Sequence, residues 1–405
     1  MTDVLVIGAG YTGLSAALHL RERGLQVAVL EAAEVGFGAS GRNVGLVNAG
    51  LWVMPAGVES ALGAPYADRL LSLLGDAPRY VFELVAKHRI ACEATNAGTL
   101  HCATGAREVS ELRQRHAQWA ARQAPVRLLT AGETAERTGS HAFDAALLDL
   151  RAGTIQPLAY ARGLARSALE LGARIFTQSP AVRSERRHRG WTVSTARGSI
   201  TAQWVLVATD AYAHGPWNVR RSQIRLPYFN VATVPLAPAV RSSILANGEG
   251  AWDARTVLSS FRLDAAGRMI FGSVGALDGT GRAVHEAWAR RALRRVFPQI
   301  GNIEFEFGWY GNIGMTADHM PRFHRLAPNV IALCGYNGRG IAPGTAFGRV
   351  FADHVSGRAE EELLPLPFTR MSVPALRGMR EWFYRTGSMA LHLLAARGRA
   401  GGFIS

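Results

Sequence analysis

Apolar residues repeat along this chain with two different periods, and the switches between them mark its elements. Val4-Leu5-Val6-Ile7 is an unbroken apolar run, the pattern of a strand buried on both faces. Gly8 to Gly13 follows as a turn, and Leu14 to Arg23 carries an apolar face at helical spacing that stops at Gly24. Gln26 to Leu30 returns as a parallel partner, completing a βαβ unit of about 30 residues. Asp76 to Arg122 is mostly helical and is interrupted by a short strand from Gly98 to Ala103. Pro157 to Gly172 is a helix with proline in its first turn, where a missing N–H costs nothing.

Trp191 to Ala196 and Ile200 to Ala208 alternate with the strand period and complete the first sheet. From Gln223 to Thr316 the pattern changes. Tyr228 to Leu236, Val257 to Leu263 and Met269 to Ser273 are extended, and Asp264-Ala265-Ala266-Gly267 joins the last two as a hairpin turn. This block predicts a second, antiparallel sheet with Val284 to Phe297 as a helix on it. Asn329 to Leu333 is again a buried strand, and Ile341 to Val355 is a helix closing at Gly357. The chain therefore leaves its first domain and returns to it.

Composition narrows the function classes. A chain of 405 residues that is 48% hydrophobic and 19% charged buries a large core. The formal charge of +14 raises polyanions as partners, but the basic residues are arginines spread from Arg21 to Arg399, with Lys87 the one lysine, and no nucleic-acid reading motif accompanies them. No specific nucleic-acid partner is expected. Cys92, Cys102 and Cys334 lie far apart and match no metal-ligand spacing, so no metal is expected and a reducing compartment is the default. The start of the chain lacks a secretory pattern, and no apolar run is long enough to span a bilayer. The expected location is the cytoplasm.

The turn Gly8-Ala9-Gly10-Tyr11-Thr12-Gly13 fits the dinucleotide fingerprint. Gly8 makes the tight turn, Gly10 lets the backbone approach a pyrophosphate, and Gly13 lets the helix pack on the strand. Glu31 stands at the end of the next strand, followed by Ala32, where a carboxylate accepts hydrogen bonds from ribose hydroxyls and repels a 2′-phosphate. Taken alone, the same residues describe a glycine-rich turn in any α/β protein.

A second glycine-rich segment, Gly36-Phe37-Gly38-Ala39-Ser40-Gly41-Arg42-Asn43-Val44-Gly45, resembles the amine and amino-acid oxidase superfamily that includes D-amino acid, glycine and sarcosine oxidases. Within it, the segment looks most like the gamma-glutamylputrescine oxidoreductase branch. Val205 to Tyr212 is similar to the family strand ending beside the first fingerprint, contributing Ala208 and Thr209, although Asp210 stands where glycine or asparagine is more usual. Gly335 to Ala342 resembles the loop leading into a helix that faces the flavin. The resemblance implies noncovalent FAD held by Gly8 to Gly13, Glu31, Ala32, Gly38, Ala39, Ser40, Arg42, Asn43, Val44, Gly45, Ala208, Thr209, Gly338, Gly340, Ile341 and Ala342, with Val182 reading the adenine through its backbone. It implies an α/β fold in which a Rossmann-type FAD-binding domain (1–75, 150–222 and 317–365) carries an inserted antiparallel-sheet substrate domain (76–149 and 223–316), like glycine and sarcosine oxidases. Residues 366–405 remain as a helical tail.

The family chemistry moves a hydride from a carbon bearing nitrogen to flavin N5, and the resulting imine hydrolyses. Cofactor chemistry carries the difficulty, so no acid–base dyad is required and no residue is assigned as catalytic. His319 and His324 are expected in surface or packing roles. Amino-acid oxidases of this superfamily commonly place an arginine on the strand that here reads Trp309 to Asp318, at the position of Ile313. The substrate is therefore expected to be a small amine, polyamine derivative or N-substituted compound, with Trp52, Asn312 and Tyr336 in its pocket. Arg262 or Arg339 reaching the pocket would undo that inference and favour a glycine- or sarcosine-type amino-acid oxidase, and a nucleotide-binding protein without turnover is the rival from another class. Gly311 falls close to the position at which sarcosine oxidases attach flavin to cysteine, hence the noncovalent expectation. Lys87 does not match the lysine that favours oxygen reduction in sarcosine-oxidase-like relatives, so an acceptor other than oxygen is expected. The tail, Pro374 to Gly398, mixes apolar residues with Arg377, Arg380, Arg385 and Arg397, and is expected to pack on its own domain rather than on a membrane.

Overall fold

In a computed structural model that describes residues 1–188, 190–253 and 258–394, the first sheet is built around β1 (Thr2–Ile7). β1 pairs in parallel with β2 (Val27–Leu30) on one side and with the strand Gly198–Val207 on the other. Strands Arg174–Phe176 and Val330–Cys334 extend the parallel set outward, followed by Arg322–Ala327 and Phe368–Thr369 at one edge. A hairpin of Arg183–Arg187 and Gly190–Thr195 adds to Gly198–Val207 in antiparallel register. Four consecutive residues of β1, Val4 to Ile7, are buried, because α1 (Tyr11–Glu22) covers one face and the hairpin side covers the other. An uninterrupted apolar run is what such two-sided burial demands.

The helix Ile341–Val355 crosses α1 at close range. A Cβ at Gly348 would stand 2.6 Å from the Thr12 carbonyl oxygen, so only glycine permits this approach, and Ser15 Oγ donates to the Thr345 carbonyl at 2.6 Å.

The second sheet has eight strands, in the order Phe305–Met315, Ile224–Thr233, Met269–Val274, Ser259–Leu263, Gly250–Asp253, Thr99–Ala103, Ala145–Asp149 and Val126–Leu129. All pairs are antiparallel except Gly250–Asp253 with Thr99–Ala103, where two separate chain segments meet. The expected hairpin turn closes with the Gly267 amide donating to the Asp264 carbonyl at 3.0 Å and Gly267 at φ +82°. Val257, expected to open the strand before this turn, lies outside the described residues, as does the tail beyond residue 394.

Two expected boundaries shift. The strand that opens the 223–316 block runs Ile224–Thr233 and stops short of Leu236, whose amide turns aside to the Gly267 carbonyl. The helix expected from Asp76 begins at Ala64 and continues to Lys87, so the boundary placed at residue 75 falls inside one continuous helix. Pro78 sits buried within it, and because proline has no N–H the Leu74 carbonyl lacks its helical partner. The Gly50 amide donates to that carbonyl at 3.0 Å, which ties the loop 49–52 to the helix.

Candidate active site

The carboxyl ends of the parallel strands, the segment 36–45 and the near face of the second sheet enclose one cleft of about 640 Å³. Open parallel sheets place ligands at this end, where strand order reverses around β1. Gly8 holds φ +106°, and a Cβ there would stand 2.8 Å from the Ala208 carbonyl oxygen. A Cβ at Gly13 would lie 2.0 Å from the Gly8 carbonyl oxygen, so the close helix–strand packing requires both glycines. α1 opens at Gly10 with no side-chain cap, leaving its positive dipole end toward the cleft.

Glu31 lies at the cleft wall beside Ala32, its carboxylate accepting the Ala9 amide at 2.8 Å and the Ala33 amide at 2.9 Å. Two carboxylate oxygens offer about four acceptor sites, so capacity remains for ribose hydroxyls. The groups present suit an extended dinucleotide such as FAD: a helix start at a glycine, whose Cβ would meet Ser40 Oγ at 2.8 Å, and an acid one strand away.

Most residues expected at the cofactor converge here. Gly8, Gly10, Tyr11, Thr12, Gly38, Ala39, Ser40, Arg42, Asn43, Val44, Ala208 and Thr209 line the cleft on the first-sheet side, and Gly338, Gly340 and Ile341 line it at the start of the returning helix. Ala9, Gly13, Gly45 and Ala342 stand just behind the wall, where Ala9 and Ala342 are buried. Val182 does not reach the cleft. Its amide donates to the Ser194 carbonyl at 2.9 Å within the hairpin and its side chain is exposed, whereas Pro180 and Ala181 form the wall.

Within the segment 36–45, the Ser40 side chain keeps an outward donor. Its Oγ accepts the Tyr11 amide at 3.1 Å, leaving the hydroxyl proton free to point outward. Asn43 spends its amide group inside the loop, donating to the Ala39 and Ser40 carbonyls at 3.0 Å each and accepting the Gly45 amide at 2.9 Å. Arg42 donates to the Phe37 and Tyr310 carbonyls, and its own carbonyl accepts from Asn230 and Trp309. Arg42 therefore braces the segment against the second sheet and Asn43 stiffens the loop from within, while both line the cleft.

Trp52, Asn312 and Tyr336, expected around the substrate, all line the cleft, as do Gly311 and Ile313. The Asn312 amide donates to the Tyr212 hydroxyl at 2.7 Å, and the Tyr336 hydroxyl pairs with Thr12 Oγ1 at 2.6 Å. Trp52 meets Trp252 edge to face at 4.8 Å. Arg262 is buried behind Val44, donating to its carbonyl at 2.6 Å, and does not line the cleft. Arg339 does. Its guanidinium lies over Trp52 at 4.5 Å and Trp252 at 4.8 Å, and donates to the Ala49 and Leu51 carbonyls at 3.2 Å each. Its Nε has no hydrogen-bond partner among the described residues, and burial pulls its pKa down to about 9. His319 lines the rim, whereas His324 is buried with Nδ1 on Thr369 Oγ1 at 2.9 Å. The sequence reading missed Tyr212, Tyr228, Trp252 and Asn48, which complete the wall from strands and loops distant in sequence.

Asp210 occupies the cleft wall at φ +43°, accepting the Gly335 amide at 2.8 Å. Burial pushes its carboxyl up from 3.8 to about 6, against the lowering effect of the Gly335 and Ala211 amides. A folded-state pKa above the unfolded value means that the Asp210 contribution is fully present below about pH 4 and is lost as pH rises through about 6. Asp210→Asn keeps an acceptor for Gly335 and tolerates positive φ. Its thermal midpoint should match the parent at pH 4 and exceed it at pH 8, by up to about 3 kcal/mol of stability. Equal midpoints at pH 8 would remove the burial argument.

Residues 3–354 match the profile of the DAO family, described as FAD dependent oxidoreductase. The chain is 33% identical over 393 residues to a probable oxidoreductase, OrdL, of Haemophilus influenzae, covering 93% of this chain and 88% of the relative. It is 31% identical over 362 residues to the gamma-glutamylputrescine oxidoreductase of Escherichia coli, covering 88% and 84%. The crystal structure of glycine oxidase from Geobacillus kaustophilus superposes with a TM-score of 0.73 at 21% identity, covering 91% of this chain and 98% of that one. The same two-sheet architecture underlies both.

Proposed function

This chain belongs to the DAO family of FAD-dependent oxidoreductases, and on that premise we propose that it oxidises a C–N bond of a small amine or polyamine derivative to an imine that water hydrolyses. Bound FAD supplies the hydride acceptor. The protein's own residues hold the amine and exclude water. Trp52, Trp252, Tyr228 and Tyr336 form an aromatic wall in which a neutral amine is favoured over its ammonium, because burying an unpaired charge is costly. The helix Ile341–Val355 opens at Gly340 without a side-chain cap at the cleft wall, so its positive end favours negative charge developing nearby.

The observation that carries the substrate class is Ile313, an apolar residue on the cleft wall where a forked carboxylate anchor would otherwise stand. The relative named for gamma-glutamylputrescine supports the same class. Arg339 does reach the cleft and so favours a second reading, a free amino acid whose carboxylate reaches its Nε. The amine reading stands first because the rest of the guanidinium is committed to the Ala49 and Leu51 carbonyls and to the faces of Trp52 and Trp252. Steady-state turnover with an artificial acceptor separates the two. Diamines and their N-acyl derivatives should be turned over well above glycine, sarcosine and D- or L-amino acids, and the reverse order would establish the second reading.

Cofactor attachment is proposed to be noncovalent. A side chain at Gly311 would meet the Tyr212 hydroxyl at 2.9 Å, and no cysteine lines the cleft among the described residues. Acid precipitation should release all the flavin into the supernatant, and colour retained in the pellet would contradict this.

For the second half-reaction we place the electrons on an acceptor other than oxygen. Lys87 ion-pairs with Glu22 at 2.6 Å at the exposed end of its helix and does not line the cleft, so no lysine ammonium stands there to stabilise superoxide. Amine-reduced enzyme mixed with air-saturated buffer should reoxidise more slowly than it turns over with artificial acceptors. Faster reoxidation would sink the dehydrogenase reading. The cytoplasm is the proposed compartment, and no described helix is long and apolar enough to cross a membrane.

A further inference from the structure

The tail helix Arg377–Leu394 is inverted relative to an ordinary surface helix. Ser388 and His392 are buried against the body of the protein, and the Glu381 carboxylate accepts the Arg225 amide at 3.1 Å. His392 Nδ1 pairs with His285 Nδ1 at 2.7 Å, its ring stacks on Trp288 at 3.9 Å, and its carbonyl accepts from Arg291 at 3.2 Å. Arg385 pairs with Asp278 at 2.7 Å. The helix is thus held by polar contacts along one side.

Met379, Trp382, Phe383, Leu393 and Leu394 recur at helical spacing on the opposite side, together with Thr386 and Ala390. Trp382 is 65% and Phe383 62% exposed. Leu376 and Val373, just before the helix, are exposed as well. A helix that buries its polar stripe and presents aromatic and aliphatic side chains to water leaves a contiguous apolar face in need of a cover.

Charge identifies the cover. Arg380 borders the stripe on the helix and Arg370 precedes it in the chain, both exposed and with no ion pair among the described residues, and the adjoining helix Gly279–Val296 adds exposed Arg294 and Arg295. The neighbouring carboxylates Glu381 and Asp278 are both engaged with arginines. Two copies apposed through this face would set the same arginines against each other without an acid to meet them. An anionic lipid surface meets both features: the aromatic stripe enters the headgroup boundary while the arginines reach phosphates. We propose that the tail helix is a peripheral membrane dock that seats the enzyme on anionic bilayers without spanning them.

Co-flotation of the flavin-loaded full chain with vesicles tests this. Vesicles of phosphatidylcholine with phosphatidylglycerol should carry the enzyme, pure phosphatidylcholine vesicles should carry much less, and added salt should release it. The double variant Trp382→Ser/Phe383→Ser should lower partitioning by at least about tenfold while flavin content and turnover of dissolved amine stay unchanged. Arg370→Glu/Arg380→Glu should abolish the preference for the anionic lipid. The proposal fails if the enzyme does not float with anionic vesicles, if neither double variant alters flotation, or if Trp382→Ser/Phe383→Ser instead converts a dimer to a monomer.

Discussion

Gly13→Val is expected to yield a protein that carries no flavin. The added Cβ would stand 2.0 Å from the Gly8 carbonyl oxygen and 3.0 Å from Val6 Cγ1, and neither backbone nor buried strand can retreat that far. α1 must therefore lift from β1, which displaces the helix start and widens the turn that approaches the pyrophosphate. The cost is set by overpacking at a buried site, about 3 kcal/mol or more, added to loss of the anion site. Apparent flavin affinity should fall at least about 100-fold, equivalent to about 2.7 kcal/mol, so that desalted protein carries little or no flavin. Gly24→Ala is the control: Gly24 also holds a positive φ, +81°, but a Cβ there meets nothing within 4 Å. It should lose about 1 kcal/mol of stability and keep its flavin. Full flavin content in Gly13→Val would show that the fingerprint does not set the cofactor site.

The fingerprint was legible because its information is local. Strand, turn, helix and acid lie within one βαβ unit, and Val4 to Ile7, buried on both faces, shows no alternation to misread. The hairpin at Asp264 to Gly267 was legible for the same reason. What was not legible depends on residues far apart meeting. The pairing of Gly250–Asp253 with Thr99–Ala103 is parallel and joins two distant segments, and it brings Trp252 against Trp52. No period in either segment announces that. Val182 illustrates a finer limit, since a shift of one residue along an extended segment exchanges the wall position, taken by Ala181, for one whose amide is spent in the hairpin. Arg42 and Asn43 show another: their donors were visible in the sequence, but the Phe37, Tyr310, Ala39 and Ser40 carbonyls that also engage them were not. Pro78, readable as a helix breaker, instead frees a carbonyl that holds the loop 49–52.

That loop underlies the second large effect. Arg339→Met removes the guanidinium that binds the Ala49 and Leu51 carbonyls and lies over Trp52 and Trp252. Arg115 holds the same loop from the other side, donating to the Trp52 carbonyl at 2.7 Å, and remains in the variant. Two lost hydrogen bonds from a charged donor and two cation–π contacts together predict a loss of about 3–5 kcal/mol. Methionine fills much of the arginine's apolar volume, so the fold should persist at lower temperature. Trp52 would keep its Nε1 bond to the Asn337 carbonyl but lose the cation against its face and the tether on its loop, and kcat/KM should fall at least about tenfold for every amine tested, with or without a carboxylate. If the loss is confined to carboxylate-bearing substrates, Arg339 is an anion anchor and the amino-acid reading gains the argument.

The central claim is that bound FAD takes a hydride from the carbon next to nitrogen of a small amine. It is tested most directly by anaerobic mixing of the holoenzyme with an N-acyl diamine, followed through the visible flavin band, using substrate carrying hydrogen or deuterium at that carbon. The band should bleach in one exponential phase whose rate saturates with amine concentration and is several-fold slower for the deuterated compound. A band unchanged by diamines and their derivatives but bleached by α-amino acids, or bleaching with no isotope effect at saturation, would contradict the account.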